Sequence, residues 1–275
     1  MTSSVEVRVG AATNVGMREH NEDSYLAQMP VFIVADGMGG HMRGDVASGI
    51  VVDTFRPLVG RGFVSGDSLD LAIKDAGGAI AALGGGVDGL APGSTLTGFV
   101  ISDLGGMPCA RVFNIGDSRT YHLSGTGFSQ VTKDHSEVQE MVEAGELTAL
   151  EARTASNRNV ITRAIGGASG IDVGADVFLL PVRSGDRFVI CSDGLSGEVT
   201  DALIGSIARL TVDAQETAEV LVQSALGAGG RDNVTVVVVD IVTTSPIWAD
   251  SRIDGITSSG GQRRTIDDTL PRDSK

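Results

Sequence analysis

Val31-Phe-Ile-Val-Ala-Asp-Gly-Met-Gly-Gly40 is the stretch that organises this chain. Five apolar residues, four of them β-branched or aromatic, predict a buried strand. The strand runs directly into Asp36 and then into Gly37, Gly39 and Gly40. A carboxylate at a strand end, followed by backbone that bends closely around it, suits a metal or phosphate site. A single Asp-Gly reads equally as a turn. The pattern, however, repeats at Asn114-Ile-Gly-Asp117, at Val189-Ile-Cys-Ser-Asp-Gly194 and at Gly230-Arg-Asp-Asn233, which precedes another strand. Four strand-end carboxylates in one chain point to one acidic centre.

The frame around them is that of a large globular unit. The chain has 275 residues, 41% of them hydrophobic, with 38 glycines for tight turns. The net charge of −14 excludes nucleic acid and an anionic membrane as main partners and favours the collection of divalent cations. Cys109 and Cys191 lack metal-type spacing and adjoin apolar runs, so buried reduced thiols and a cytoplasmic setting are expected. Glu6 and Arg8 interrupt the N-terminal residues before a signal-type apolar segment forms. The longest apolar run, 234–242, falls short of a membrane span. Nothing demands an oligomer, and a monomer is expected.

In chain order, residues 5–11 alternate as a half-buried strand does. The polar stretch Arg18-Glu-His-Asn-Glu-Asp23 follows, with Glu22 and Asp23 a dozen residues before Asp36, a spacing that suits two neighbouring strands. Arg18 offers a planar fork to a phosphate or to a surface carboxylate. Residues 44–59 and 69–83 carry helical periodicity. Strands are expected at 94–102 and 110–115, and a hairpin at 121–132. Asp134 and Glu137 read as a capping-box start, and Thr148 and Glu151 as a second one. Strands at 176–181 and 187–191 are joined by the turn Arg183-Ser-Gly-Asp186. Helices at 199–210 and 214–226 lead to a last strand at 234–242. This order predicts an α+β fold with two mostly antiparallel sheets flanked by helix pairs. The folded unit spans 1–242. From Thr243 the composition turns to Ser, Thr, Gly, Asp and Arg without periodicity, and 243–275 reads as a disordered tail. Within it, Thr265 and Thr269 lie in a charged segment that a kinase could reach.

Glu22, Asp23, Asp36, Asp117, Asp193 and Asp232 form the candidate cluster. So many carboxylates in one cleft require cations, and oxygen-only ligands select Mg²⁺ or Mn²⁺ over zinc. The four histidines, His20, His41, His122 and His135, show no metal-type pairing. Two hard ions sharing a carboxylate would activate a water and stabilise both ends of an in-line phosphoryl displacement.

At this point the chain resembles a known family. Arg18-x-x-Asn-Glu-Asp23, Ala35-Asp-Gly-Met-Gly-Gly40, Gly93-Ser-Thr95, Gly116-Asp-Ser-Arg119, Lys133-Asp-His-Ser136, Arg158-Asn-Val-Ile-Thr-Arg163, Cys191-Ser-Asp-Gly194 and Gly230-Arg-Asp-Asn-Val-Thr235 resemble the metal-dependent protein phosphatases (PPM, type 2C), in their bacterial serine/threonine branch. The resemblance covers residues 5–242 in family order. It implies a four-layer α-β-β-α sandwich, hydrolysis of phosphoserine and phosphothreonine, and two Mn²⁺ or Mg²⁺ ions with a possible third. By position, Asp36 bridges the two ions, the Gly37 carbonyl ligates one, and Asp193 and Asp232 hold one. Glu22 or Asp23 supports the other, Asp117 joins Asp193 at the third, Arg18 contacts the substrate phosphate, and residues 134–166 form a mobile flap. Partners would be phosphorylated proteins, among them serine/threonine kinases and their targets. Met38 stands where animal members carry a proposed acid, which leaves the proton donor open between water held at the metals and His41. His135 reads as structural. An anti-sigma-antagonist phosphatase and a non-catalytic binding module are the alternatives.

Overall fold

In the computed structural model, residues 4–39, 43–84, 91–167 and 173–245 are described. The strand expected at 5–11 forms as β1, Ser4–Asn14. It is followed by β2 (Asp23–Gln28) and β3 (Val31–Met38). Helix α1 (Gly44–Phe55) and a 3₁₀ turn at Arg56–Leu58 precede α2 (Gly66–Ala82). Strands β4 (Gly93–Ser94), β5 (Leu96–Leu104), β6 (Met107–Ile115), β7 (Arg119–Ser124) and β8 (Gly127–Gln130) come next. Short helices α3 (Glu137–Glu143) and α4 (Ala149–Ala152) lead to β9 (Ile165–Gly166), β10 (Asp176–Pro181) and β11 (Arg187–Cys191). The chain then forms α5 (Asp193–Ser196), α6 (Asp201–Leu210), α7 (Ala214–Ala228) and β12 (Val234–Ser245).

The strands make two antiparallel sheets. One has the order β1-β12-β11-β7-β8; the other runs β10-β6-β5-β3-β4-β9, with β2 also on β3. Strict alternation along β3 explains the layering. Val31, Ile33 and Ala35 face α1 and α2, while Phe32 and Val34 face the opposite sheet and meet Phe99, Phe188 and Val237. A third apolar cluster lies between the first sheet and α5–α7, around Val189, Leu195, Ala218 and Val236. Three apolar layers between four structural layers give the expected α-β-β-α sandwich. No described helix is long and apolar enough to cross a membrane.

Three expectations need correction, and one gains detail: the strands at 176–181 and 187–191 are joined by the expected turn, with β10 paired to β6 in one sheet and β11 to β7 and β12 in the other. The connecting turn therefore crosses between the sheets, a distinction that turn composition does not carry. The last strand continues past 242, because Thr243 and Thr244 pair with Glu6 and Val5. Asp134 does not cap α3. Ser136 is the cap and accepts from the Gln139 amide, whereas Asp134 is turned to Arg119. The polar stretch 152–170 also hides β9, which pairs with β4. Thr148 and Glu151, by contrast, form the expected capping box. Gly40, His41, Thr265 and Thr269 lie outside the described residues.

Candidate metal centre

The acidic side chains converge at one end of the sandwich because each lies at or beside the end of a strand. Asp36 lies near the end of β3, and Asp23, the first residue of β2, is its direct cross-strand partner. Asp193 follows β11 and opens α5, Asp232 precedes β12, and Asp117 follows β6. Their backbones are locked by local hydrogen bonds. The Asp36 amide donates to Thr95 Oγ1 at 2.9 Å, and its carbonyl accepts from the Thr95 amide at 2.8 Å. The Glu22 amide donates to Asn233 Oδ1 at 2.8 Å, which ties the β2 start to the residue after Asp232. Close approach dictates Gly37, since a Cβ there would overlap the Gly44 carbonyl at the start of α1.

Electrostatics shows that the cluster is frustrated in the protein alone. Burial pushes Asp36 well above the usual carboxylate range, and Asp23, Asp193, Asp117 and Asp232 push it further. Burial raises Asp23 to about 7, although hydroxyl hydrogen bonds from Thr235 and Ser192 oppose the rise. Burial and then Asp232 raise Asp193 to about 6, against a side-chain hydrogen bond with Asp36. Asp117 is raised by burial, then by Asp193 and Asp134. The Ser192 hydroxyl donates to Asp23 Oδ2 at 2.8 Å, but Asp23 Oδ1 and Asp193 Oδ1 are buried without any hydrogen-bond partner. Buried acceptors left unpaired are costly and call for a donor or a cation. These orphaned oxygens, with a donor set made only of oxygen, fit hard divalent ions.

Glu22 and Asp23 part company here. The Glu22 carboxyl packs on Gly44, whose amide donates to it, at the first turn of α1. Asp23 is the one with an open oxygen. Asp232 accepts from Arg18 at 2.7 Å, and the Arg18 side chain is 57% exposed. With Asp232 turned to Arg18, no three His, Cys, Asp or Glu side chains among the described residues stand as a finished ligand cage.

Beside the cluster, a cleft of about 260 Å³ runs from Asp117 and Asp193 to the segment 134–166, with Arg119, Asp134 and Arg158 on its walls. That segment closes on itself through an isolated bridge between Ser136 and Ile161. Sequence reading missed how it is anchored. Arg119 reaches Asp134 at 2.6 Å, Asp201 at 3.3 Å and the Tyr121 hydroxyl at 3.2 Å. The signal was present in the arginine two residues after Asp117, but its partner lies 15 residues on and was assigned to a helix cap.

The family model for protein phosphatase 2C matches residues 15–226. The chain belongs to the protein phosphatase 2C family. It is 37% identical over 257 residues to the serine/threonine protein phosphatase PstP of Mycobacterium tuberculosis, covering 88% of this chain. It spans only 48% of that relative's length. A serine/threonine phosphatase of Listeria innocua is 31% identical over 238 residues, 82% of this chain and 91% of that protein. Among solved protein phosphatase 2C structures, the PstP catalytic domain in complex with two manganese ions superposes with a TM-score of 0.76 at 35% identity, covering 87% of this chain and all of that one.

Proposed function

We propose that this chain is a metal-dependent serine/threonine protein phosphatase. The observation that carries the proposal is the pair of orphaned carboxylate oxygens, on Asp23 and Asp193, beside the strand-end Asp36. Asp36 would be shared by two Mn²⁺ or Mg²⁺ ions, with Asp193 and Asp232 on one and the Gly37 carbonyl on the other. Asp23, with Glu22 behind it, would support the second ion, and Asp117 would join Asp193 at a third. When bound, such ions would supply an activated water and neutralise charge on the transferring phosphoryl group.

The protein's own part is positional. Thr95, Ser118 and Ser192 hold the carboxylate-bearing backbone and Asp23 in place, which lowers the reorganisation needed as charge develops. Arg18, exposed and paired with Asp232, has the planar fork that would match a phosphate once released from that pair. Asp36 and its neighbours repel a substrate anion until cations are present, so catalysis would depend strictly on metal. Met38 cannot donate a proton, so the leaving oxygen would take one from another donor, such as water on the Asp117 side of the cleft.

Phosphoserine and phosphothreonine proteins, including kinases and their targets, are the proposed substrates, on the strength of the relatives named phosphatases of that class. Two buried free cysteines fit a reducing, cytoplasmic setting. The test is release of inorganic phosphate from a phosphothreonine peptide with Mn²⁺ or with EDTA. Turnover only with metal supports the reading, and binding without turnover under both conditions would leave a binding module.

A further inference from the structure

His135 is 5% exposed and all its polar groups are used. Its Nδ1 accepts from the Gly116 amide at 3.1 Å, and its own amide donates to the Gly116 carbonyl at 2.9 Å. Its Nε2 lies 3.1 Å from Asp176 Oδ2, and Asp176 Oδ1 accepts from Arg163 at 2.8 Å. An amide that donates to Nδ1 requires that nitrogen to be bare, so the ring proton sits on Nε2 and is donated to Asp176. Burial lowers the imidazole pKa, which keeps this neutral tautomer at neutral pH. Gly116 itself is in the left-handed region, with φ of +104°, and a Cβ there would meet Thr95. Asp117 is the next residue. Gly116, the residue before it, is thus gripped on its N–H and its C=O by one histidine. Asn114 adds a donor to the same carbonyl at 2.9 Å and another to the Lys133 carbonyl at 2.8 Å.

We infer that His135 is a positioning residue, whose Nδ1 and backbone clamp Gly116 so that the Asp117 carboxylate is presented to the acidic centre. Asp176 and Arg163 set the tautomer that makes the clamp possible. The inference rests on the reading of Asp117 as a cation ligand. It goes beyond that reading by assigning a role to a residue that touches neither substrate nor the acidic cluster. The same contact joins the two ends of the 134–166 segment to the centre, because the Thr162 amide donates to the His135 carbonyl at 2.8 Å.

Two substitutions separate this role from bulk packing. Asparagine places an amide oxygen near the position of Nδ1 and can accept from Gly116. Glutamine places its amide near Nε2 and leaves the Gly116 amide without an acceptor. His135→Gln is expected to lower kcat on a phosphothreonine peptide by about tenfold or more, with little change in KM, and to raise the Mn²⁺ concentration needed for full activity. His135→Asn should stay close to wild type on both measures. Independently of activity, two-bond ¹H–¹⁵N spectra of the metal-free wild type should show a bare Nδ1 and a protonated Nε2 at His135. The Gly116 amide should exchange slowly, and faster in His135→Gln. Equal rates in the two variants, a proton on Nδ1, or an unprotected Gly116 amide would each overturn the clamp. If His135→Gln does not fold, the wild-type spectra and His135→Asn still decide. Wild-type turnover indifferent to Mn²⁺, alongside an intact clamp in the spectra, would instead strike at the phosphatase reading.

Discussion

Asp23 and Asp36 stand directly opposite each other on the antiparallel strands β2 and β3. Cross-strand neighbours are among the closest side-chain pairs in a sheet, and like charges there destabilise it. A fold governed by stability alone would not place two buried carboxylates in register and then add Asp193 and Asp232 around them. The arrangement makes sense as a centre whose stability is completed by cations.

Divalent metal should therefore stabilise the folded protein. At about one hundred times its dissociation constant, a ligand that binds only the folded state adds about 2.7 kcal/mol, on the order of 5–10 °C in Tm for a chain of this size. Thermal unfolding in EDTA and in Mn²⁺ measures this, and coincident transitions would contradict it.

The metal-free protein should lose stability as pH rises. Asp23, at about 7, and Asp193, at about 6, lie above the ordinary 3.8 of an unfolded aspartate, so the folded state holds more protons than the unfolded one between these values. Their contribution is fully present below about pH 4 and is lost as pH climbs through 6 and 7, at up to about 1.4 kcal/mol per pH unit for each group. In EDTA, Tm should fall between about pH 5 and pH 8, and saturating Mn²⁺ should flatten the trend. A flat or rising Tm in EDTA would count against the raised carboxylates.

Much of this centre was legible in the sequence because its chemistry sits at strand ends beside glycines. Asp36, Asp117, Asp193 and Asp232 each carry that signature, and the spacing from Asp23 to Asp36 anticipated the β2–β3 pair. What escaped is long-range choice. Arg183-Ser-Gly-Asp186 reads as a turn whether its flanking strands pair or part; in the fold they lie in different sheets, with Phe178 and Phe188 both reaching the inter-sheet core. Asp134 looked like a helix cap because Glu137 follows it at capping-box spacing, whereas Ser136, two residues on, is the cap. Its capture by Arg119 depends on a strand that comes into place only in the fold. The engagement of Arg18 by Asp232, 214 residues away, likewise has no local trace.

Asp117→Ala distinguishes leaving groups. A threonine oxygen departs as a poor alkoxide that needs a proton, whereas nitrophenolate leaves without one. Turnover of a phosphothreonine peptide should fall by at least about a hundredfold and that of p-nitrophenyl phosphate by distinctly less, while Mn²⁺-dependent stabilisation persists through Asp36, Asp193 and Asp232. Paired rates across a Mn²⁺ titration measure this. Wild-type rates on both substrates would return Asp117 to the role of a turn residue.

Gly37→Ala should be costly out of proportion to its size. The new methyl would overlap the Gly44 carbonyl and crowd the Glu22 carbonyl at 2.7 Å, two backbone groups that cannot rotate away. A loss on the order of 3 kcal/mol is expected, readable as a lower denaturant midpoint. An unchanged midpoint would show that α1 packs on β3 less tightly than described.

The central claim is that Asp36 is shared by two catalytic cations. Asp36→Asn keeps the shape and removes the charge. Its direct test is phosphate release from a phosphothreonine peptide by the folded Asn variant in saturating Mn²⁺. The account predicts a loss of several orders of magnitude together with an unchanged or higher Tm in EDTA, because repulsion at the centre is relieved. A folded Asp36→Asn protein that retains a substantial fraction of wild-type turnover would contradict it.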